Sequence, residues 1–138
     1  MRLRADPVGS VRAPTGDWPE VDVYFGPSSP SASVNVAIDV EGYSMTAGST
    51  TGDPYTAITP TRVAGTRCGT RPTPSRCAGE NLPSANSSLT TVGAGSSINV
   101  AVAGVGSVPS TATAVALNVT ATGGSAASYL KVYVRAGG

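Results

Sequence analysis

The sequence predicts an all-β protein, specifically an antiparallel β-sandwich of jelly-roll or immunoglobulin-like type. Several short segments alternate apolar and polar residues with a period of two, which is typical of strands that bury one face. Segments rich in Gly, Pro and Ser separate them, and no segment shows an apolar stripe at helical spacing. The 138 residues suit one domain, and 17 Gly and 11 Pro among them suit a fold rich in turns.

The alternation is clearest in four segments and predicts the core. Residues 33–41 place Val34, Val36, Ile38 and Val40 on one face. Segments 97–103, 112–122 and 129–135 do the same for Ile98, Val100, Val102, Val115, Leu117, Val119, Leu130, Val132 and Val134. Because each sheet of a sandwich has one inward face, we expect these residues to point inward.

The positions of the shorter alternating segments, and the lack of alternation before residue 20, predict the domain organisation. A shorter strand is expected at 20–25, and two more at 55–58 and 61–63, with Pro60 as the break between them. Residues 1–19 show no alternation and are expected to form an irregular N-terminal arm or linker, followed by a sandwich domain at 20–138. The arm either contacts a neighbouring copy or lies loosely beside its own domain. Its Trp18 is a candidate anchor for a contact, or caps one end of its own sandwich.

The two cysteines, Cys68 and Cys77, predict a disulfide. The loop between them contains Pro and Gly, so its ends can meet. A disulfide indicates an oxidising compartment, whereas the alternative is a pair of free thiols in a cytosolic loop. Zinc is disfavoured because it requires four ligands and the chain contains no His.

Candidate catalytic residues, metal ligands and cofactor motifs are absent from the sequence. Without His there is no His-based triad, and neither a Gly-x-Ser-x-Gly motif nor a phosphate loop occurs. Asp39 and Glu41 share a strand face and are expected to be solvated, and no spaced Asp loop for calcium is present. The glycosylation sequons at Asn86 and Asn118 are interpreted as chance matches in a chain rich in Ser and Thr. We therefore expect no enzyme, no metal and no cofactor.

Charge and hydropathy exclude two classes of partner. The net charge is +1 and the basic residues are scattered, which argues against nucleic-acid binding. No segment approaches the roughly 20 apolar residues that span a membrane, so membrane insertion is not expected. Residues 1–7 carry charge without an apolar run, so no signal peptide is visible there.

One row of side chains is a candidate binding surface. Tyr129, Lys131, Tyr133 and Arg135 share one face of the last predicted strand. Aromatic rings with neighbouring cations can stack on sugars and donate hydrogen bonds to them, or anchor a protein interface. The alternative is that these tyrosines cover the outer sheet face against a neighbouring loop.

Four motifs resemble a known type of module. They read DVEGY at 39–43, ITPTRV at 58–63, VALNVT at 115–120 and YLKVY at 129–133. In this order they resemble a β-rich tandem repeat module of secreted actinobacterial surface proteins, whose motifs read DVxGYY, TPTRLLDTR, AVxLNVT and GYLTVYP. The resemblance covers about residues 34–135 and implies an extracellular module without catalytic activity. VAG at 63–65 replaces the motif's LLD, so the acid that would pair with an Arg is absent there.

These observations lead to one function hypothesis and two alternatives. The chain is expected to be a non-enzymatic structural or adhesive module that is extracellular or on the cell surface. A subunit of a surface assembly or filament is one form that such a module can take. Its expected partners are copies of itself or other surface proteins. The alternatives are a module that binds cell-wall polysaccharide and a virion decoration protein. The aromatic content of 5% leaves few platforms for sugar stacking, which disfavours the polysaccharide.

Overall fold

The computed structural model describes residues 9–12, 20–45, 54–68 and 82–135. Its strands are β1 (Gly9–Arg12), β2 (Glu20–Pro27), β3 (Ser33–Met45), β4 (Tyr55–Gly65), β5 (Val92–Gly93), β6 (Ser97–Ala101), β7 (Ala112–Thr122) and β8 (Ser128–Val134). In this described part of the chain, helical geometry is limited to two 3-10 turns, Thr66–Cys68 and Ser84–Asn86.

Two antiparallel sheets pack against each other. The large sheet has the order β1-β7-β3-β4, and β5 pairs with the start of β3. The small sheet has the order β6-β2-β8. Apolar side chains from both sheets form the core between them. The predicted all-β antiparallel sandwich is therefore confirmed.

The inward direction of the predicted core residues is confirmed along every strand. Val34, Val36, Ile38 and Val40 are at most 2% exposed. Val100, Val102, Val115 and Leu117 are also buried, whereas Ile98, Val119, Leu130, Val132 and Val134 pack against the core but are partly exposed. Most of the partly exposed residues lie on β6 and β8, which are the edges of the small sheet. An edge strand has a neighbouring strand on one side only, so its side chains are covered less completely.

The core also contains residues that the alternation did not identify. Val21, Val23 and Phe25 of β2 are fully buried, because β2 is the central strand of the small sheet. Val105 and Val108 are 8% and 3% exposed although they lie in a segment that the sequence assigns to turns. The glycines that punctuate this segment have positive φ, which allows the sharp turns that direct both valines inward.

Strand β4 is continuous, whereas the sequence predicted two short strands separated by Pro60. Its pairing with β3 is interrupted between Ala57 and Thr61, so residues 58–60 have no partner in that ladder. Strand β4 is an edge of the large sheet, and no second neighbour requires the N–H that Pro60 lacks. The proline is thus accommodated as a local irregularity in one strand.

A β-bulge explains why the alternation of β3 stops at residue 41. Strands β3 and β7 pair up to Val40 and resume at Gly42, so Glu41 is an extra residue on β3. The bulge reverses the phase of the strand. Tyr43 therefore packs against the core, on the same side as the even-numbered residues before the bulge.

The segment predicted to be an irregular arm contains a strand. Residues 9–12 form β1, which pairs with β7 of the same chain from Gly9↔Leu117 to Arg12↔Ala114. Edge pairing uses backbone N–H and C=O groups and requires no side-chain alternation, so the sequence pattern did not identify it. The boundary at residue 19 stays a prediction, as does contact between this arm and a neighbouring copy.

Two predicted features lie outside the described residues. Trp18 is one of them, so its role as an anchor or a cap stays a prediction. Cys77 is the other, and the disulfide that we predict between Cys68 and Cys77 therefore also stays a prediction.

Candidate binding face of the small sheet

Three residues of the predicted binding row, Tyr129, Lys131 and Tyr133, lie on the outer side of β8, and Arg135 follows directly after the strand. Tyr129 is 52% exposed and Tyr133 is 45% exposed. Lys131 and Arg135 are exposed as well. The alternating residues of β8 pack inward against the core, which directs this row to the outside.

Strand β2 adds residues that the sequence analysis did not assign to this face. Its outward side chains are Glu20, Asp22 and Tyr24, each partly buried. The register places Tyr24 beside Lys131, Asp22 beside Tyr133 and Gly26 beside Tyr129. The Arg135 N–H donates to the Glu20 carbonyl over 3.2 Å, which puts these two residues at the same level. We call these outward residues of β2 and β8 the small-sheet face.

Tyr129 lies against the backbone of β2. Its ring occupies the space that a Cβ at Gly26 would fill, so any side chain at position 26 would displace the ring. A cross-strand aromatic that covers a glycine in this way is held by the sheet beneath it. The Tyr129 and Tyr24 ring centroids are 6.3 Å apart at an interplanar angle of 46°, within the range of an aromatic pair.

Lys131 lies over these two rings. Its Nζ is 5.9 Å from the Tyr24 centroid and 5.5 Å from the Tyr129 centroid. Both distances are within the range of a cation–π interaction. A sugar that stacks on these rings must compete with the ammonium group, whereas an anionic or aromatic group of a protein can interact with it directly.

The charges of the small-sheet face are sorted by strand. Glu20 and Asp22 lie on β2, whereas Lys131 lies on β8 and Arg135 follows directly after the end of β8. Asn99 of β6 donates from Nδ2 to Asp22 Oδ1 over 3.3 Å and so fixes one carboxylate. An acidic stripe thus runs beside a basic stripe, and the two formal charges of each sign cancel over the face.

The outer face of the large sheet is different, because Asp39 and Arg62 pair with each other there. Arg62 Nε donates to Asp39 Oδ1 over 2.6 Å, and Arg62 NH2 donates to Oδ2 over 3.3 Å. The expectation of a solvated Asp39 is therefore wrong, since Asp39 is 20% exposed and holds Arg62 in a bidentate pair. Asp39 thus gives Arg62 an acidic partner, although the acid of the LLD motif is absent at positions 63–65.

Asn86 connects the two sheets, a role that its sequon did not indicate. It is 1% exposed, and its Nδ2 donates to the carbonyls of Val63 in β4 and Ala101 in β6, each over 2.8 Å. Its Oδ1 accepts the Ala101 N–H over 2.9 Å. A buried amide that uses both of its hydrogens cannot carry a glycan, which agrees with the interpretation of this sequon as a chance match. No alternation or turn pattern identifies such a residue.

None of the helical segments among the described residues has the length and hydropathy to cross a membrane. Over those same residues, no group of three His, Cys, Asp or Glu side chains is arranged to hold a metal ion. The chain matches no model of a protein family, no curated protein and no solved structure.

Proposed function

We propose that the chain is a non-enzymatic, extracellular structural or adhesive module that attaches to its partner through the small-sheet face. The observation that carries the proposal is the exposed row of Tyr129, Lys131, Tyr133 and Arg135 on an otherwise sparsely charged sandwich. Tyr and Arg are among the residue types that most often anchor protein interfaces. The complete lack of His in the sequence also removes the commonest catalytic acid–base group.

The packing of the face supports binding with little loss of conformational entropy. The Tyr129 ring already rests on Gly26, and Lys131 already lies over two rings. Side chains that are ordered before binding do not have to be ordered by it, so more of the contact energy remains for affinity. Loose surface side chains at the same positions would bind less tightly.

An extracellular location is supported by the sequence. The motifs resemble those of secreted surface modules, and the spacing of Cys68 and Cys77 suits a disulfide in an oxidising compartment. Fractionation and immunoelectron microscopy of the native source test the location directly. Protein found in the cytosol would contradict it, and labelling on virus particles would favour the virion alternative.

Adhesion is tested with purified protein and cell envelopes prepared from the native source. We expect the double substitution Tyr133→Ala and Arg135→Ala to weaken binding at least about tenfold, because it removes one ring and one cation of the row. The matched control is Thr120→Ala, an exposed position on the large sheet, which should bind as the unmodified protein does. Equal binding by all three proteins, or no binding by the unmodified protein, would reject the proposal.

Carbohydrate binding is a second candidate, favoured by the Tyr129 ring, which lies against Gly26 and is 52% exposed. A glycan array of wall polysaccharides tests it, with Tyr129→Ala and Lys131→Ala as paired variants. If a sugar stacks on the ring, Tyr129→Ala should abolish binding. Lys131→Ala should then preserve or increase it, because the ammonium group no longer competes for the ring. The absence of any binding on the array would remove this candidate.

A further inference from the structure

We infer that the partner of the small-sheet face is a second copy of this chain, docked face to face about a twofold axis parallel to the strands. The inference rests on the proposed function, in which this face is the attachment surface, and it names the partner. Two observations support it: the acidic residues lie on β2 and the basic residues on or directly after β8, and the register of these two strands sets acid and base at matching levels.

The register makes the face complementary to itself. A twofold axis that runs parallel to the strands, midway between β2 and β8, places β2 of one copy over β8 of the other without changing the level along the strand. Glu20 then faces the partner's Arg135, and Asp22 faces the partner's Tyr133. Further along, Tyr24 faces the partner's Lys131. Acid meets base, carboxylate meets hydroxyl, and ring meets cation.

The charges also disfavour the other twofold arrangement. An axis that runs across the strands places β2 on β2 and β8 on β8. Glu20 and Asp22 would then face only residues of the partner's β2, so no acid would face a base, and an axis that crosses at Lys131 would place the two lysines opposite each other. Like charges opposite each other across an interface are unfavourable, so the stripes select one of the two orientations.

The spacing of stacked sheets also fits the parallel axis. Stacked sheets pack about 10 Å apart with their strands roughly aligned, which the parallel axis satisfies. The shared footprint is two strands wide and seven residues long, or roughly 10 by 23 Å from standard strand spacings. This is well below the ~800 Å² per partner of a standard interface, so the dimer is expected to be weak and sensitive to salt. Weak pairs gain strength when many copies are held on one surface.

Two single charge reversals and their mixture test the inference. Because of the twofold symmetry, E20R places like charges opposite each other in both symmetry-related pairs, and so does R135E. We expect the unmodified protein to dimerise at about 1 mM and low salt, and each variant alone to be monomeric, by sedimentation velocity. An equimolar mixture should form a dimer with one copy of each, because every substituted position then faces a charge of opposite sign. Isotopic labelling of one variant identifies the mixed species in native mass spectrometry.

Two controls separate this outcome from misfolding. The double variant E20R/R135E in one chain should dimerise again, since both pairs are restored with reversed sign. R67E changes an exposed Arg next to the large sheet and should leave the dimer intact. Recovery in the mixture cannot arise if a single variant simply fails to fold, and thermal unfolding of each variant checks this independently.

The inference is overturned if the unmodified protein is monomeric under these conditions, if the single variants dimerise equally well, or if the mixture stays monomeric. The adhesion experiment distinguishes this failure from failure of the proposed function. If the mixture stays monomeric while Tyr133→Ala/Arg135→Ala still loses binding to envelopes or to a glycan, the face binds a different macromolecule. Only the identity of the partner is then wrong.

Discussion

The outer faces of the two sheets contain polar side chains of similar type but use them differently. On the large sheet, Asp39 is paired with Arg62, and Asn35 Oδ1 accepts hydrogen bonds from the hydroxyls of Thr66 and Thr91. On the small sheet, the rings and cations of β8 remain exposed to solvent. Polar content alone therefore does not mark a binding face. What matters is whether the chain already uses those groups to hold itself together.

The inner faces differ as well. The central strands β3 and β7 of the large sheet and β2 of the small sheet contribute fully buried residues, whereas the edge strand β8 contributes residues that are only partly buried. Stability should therefore depend mainly on the central strands and on the contacts that join the two sheets, and binding should depend on the outer side of β8. Three substitutions test this division.

The largest effect is expected for Leu117→Ala in β7. Leu117 is 1% exposed and lies between β1 and β3, so the truncation leaves a cavity that the neighbouring strands cannot fill. We expect a loss of about 2–5 kcal/mol in the free energy of unfolding, measured by denaturant titration. Leu130→Ala on the edge strand β8 is the matched control and should cost less, because Leu130 is partly exposed. Equal losses, or a loss below ~0.5 kcal/mol for Leu117→Ala, would contradict the comparison.

A second large effect is expected for Asn86→Ala, which removes the link between the sheets. The substitution leaves the Val63 carbonyl and the backbone groups of Ala101 without their partner in a buried place. We expect a loss of about 3 kcal/mol in the free energy of unfolding. The nearby exposed Ser88→Ala should change it by no more than ~0.5 kcal/mol. If both variants unfold at the same denaturant concentration, Asn86 does not join the sheets.

The smallest of the three effects is expected for Thr66→Val. Strands β4 and β5 both pair with the same edge of β3 but leave a gap at Val36, where the Thr66 hydroxyl accepts the Val36 N–H over 2.9 Å. Valine has the same shape without the acceptor, so we expect a loss of about 1–3 kcal/mol in the free energy of unfolding. The Val36 amide should also exchange its hydrogen faster.

Thr66→Ser is the control for this gap, because it keeps the hydroxyl and removes only a methyl group. Its Val36 amide should stay protected from exchange. Rapid exchange in the serine variant, or unchanged protection in the valine variant, would show that the hydroxyl does not close the gap between β4 and β5.

The sequence by itself determined which side of most strands faces inward. Successive side chains of a strand point to opposite faces, so alternation identifies the inward set without knowledge of the partner strands. Ile38 and Leu117 were assigned to the core in this way, and the outward row from Tyr129 to Arg135 follows from the same period. The glycines and prolines between the strands indicated the turns for an equally local reason, their own backbone preferences.

Only the tertiary structure decided which strands are neighbours. Strand β2 pairs with β8 more than 100 residues later in the chain, and this pairing brings Glu20 beside Arg135 and Gly26 beneath Tyr129. The burial of Asn86 between the sheets depends on the same closure. Local periodicity records one strand at a time, whereas register is set by how all the strands close around a common core. The candidate binding face was therefore half visible in the sequence, as one strand, and became a surface with two charge stripes only when the second strand was placed beside it.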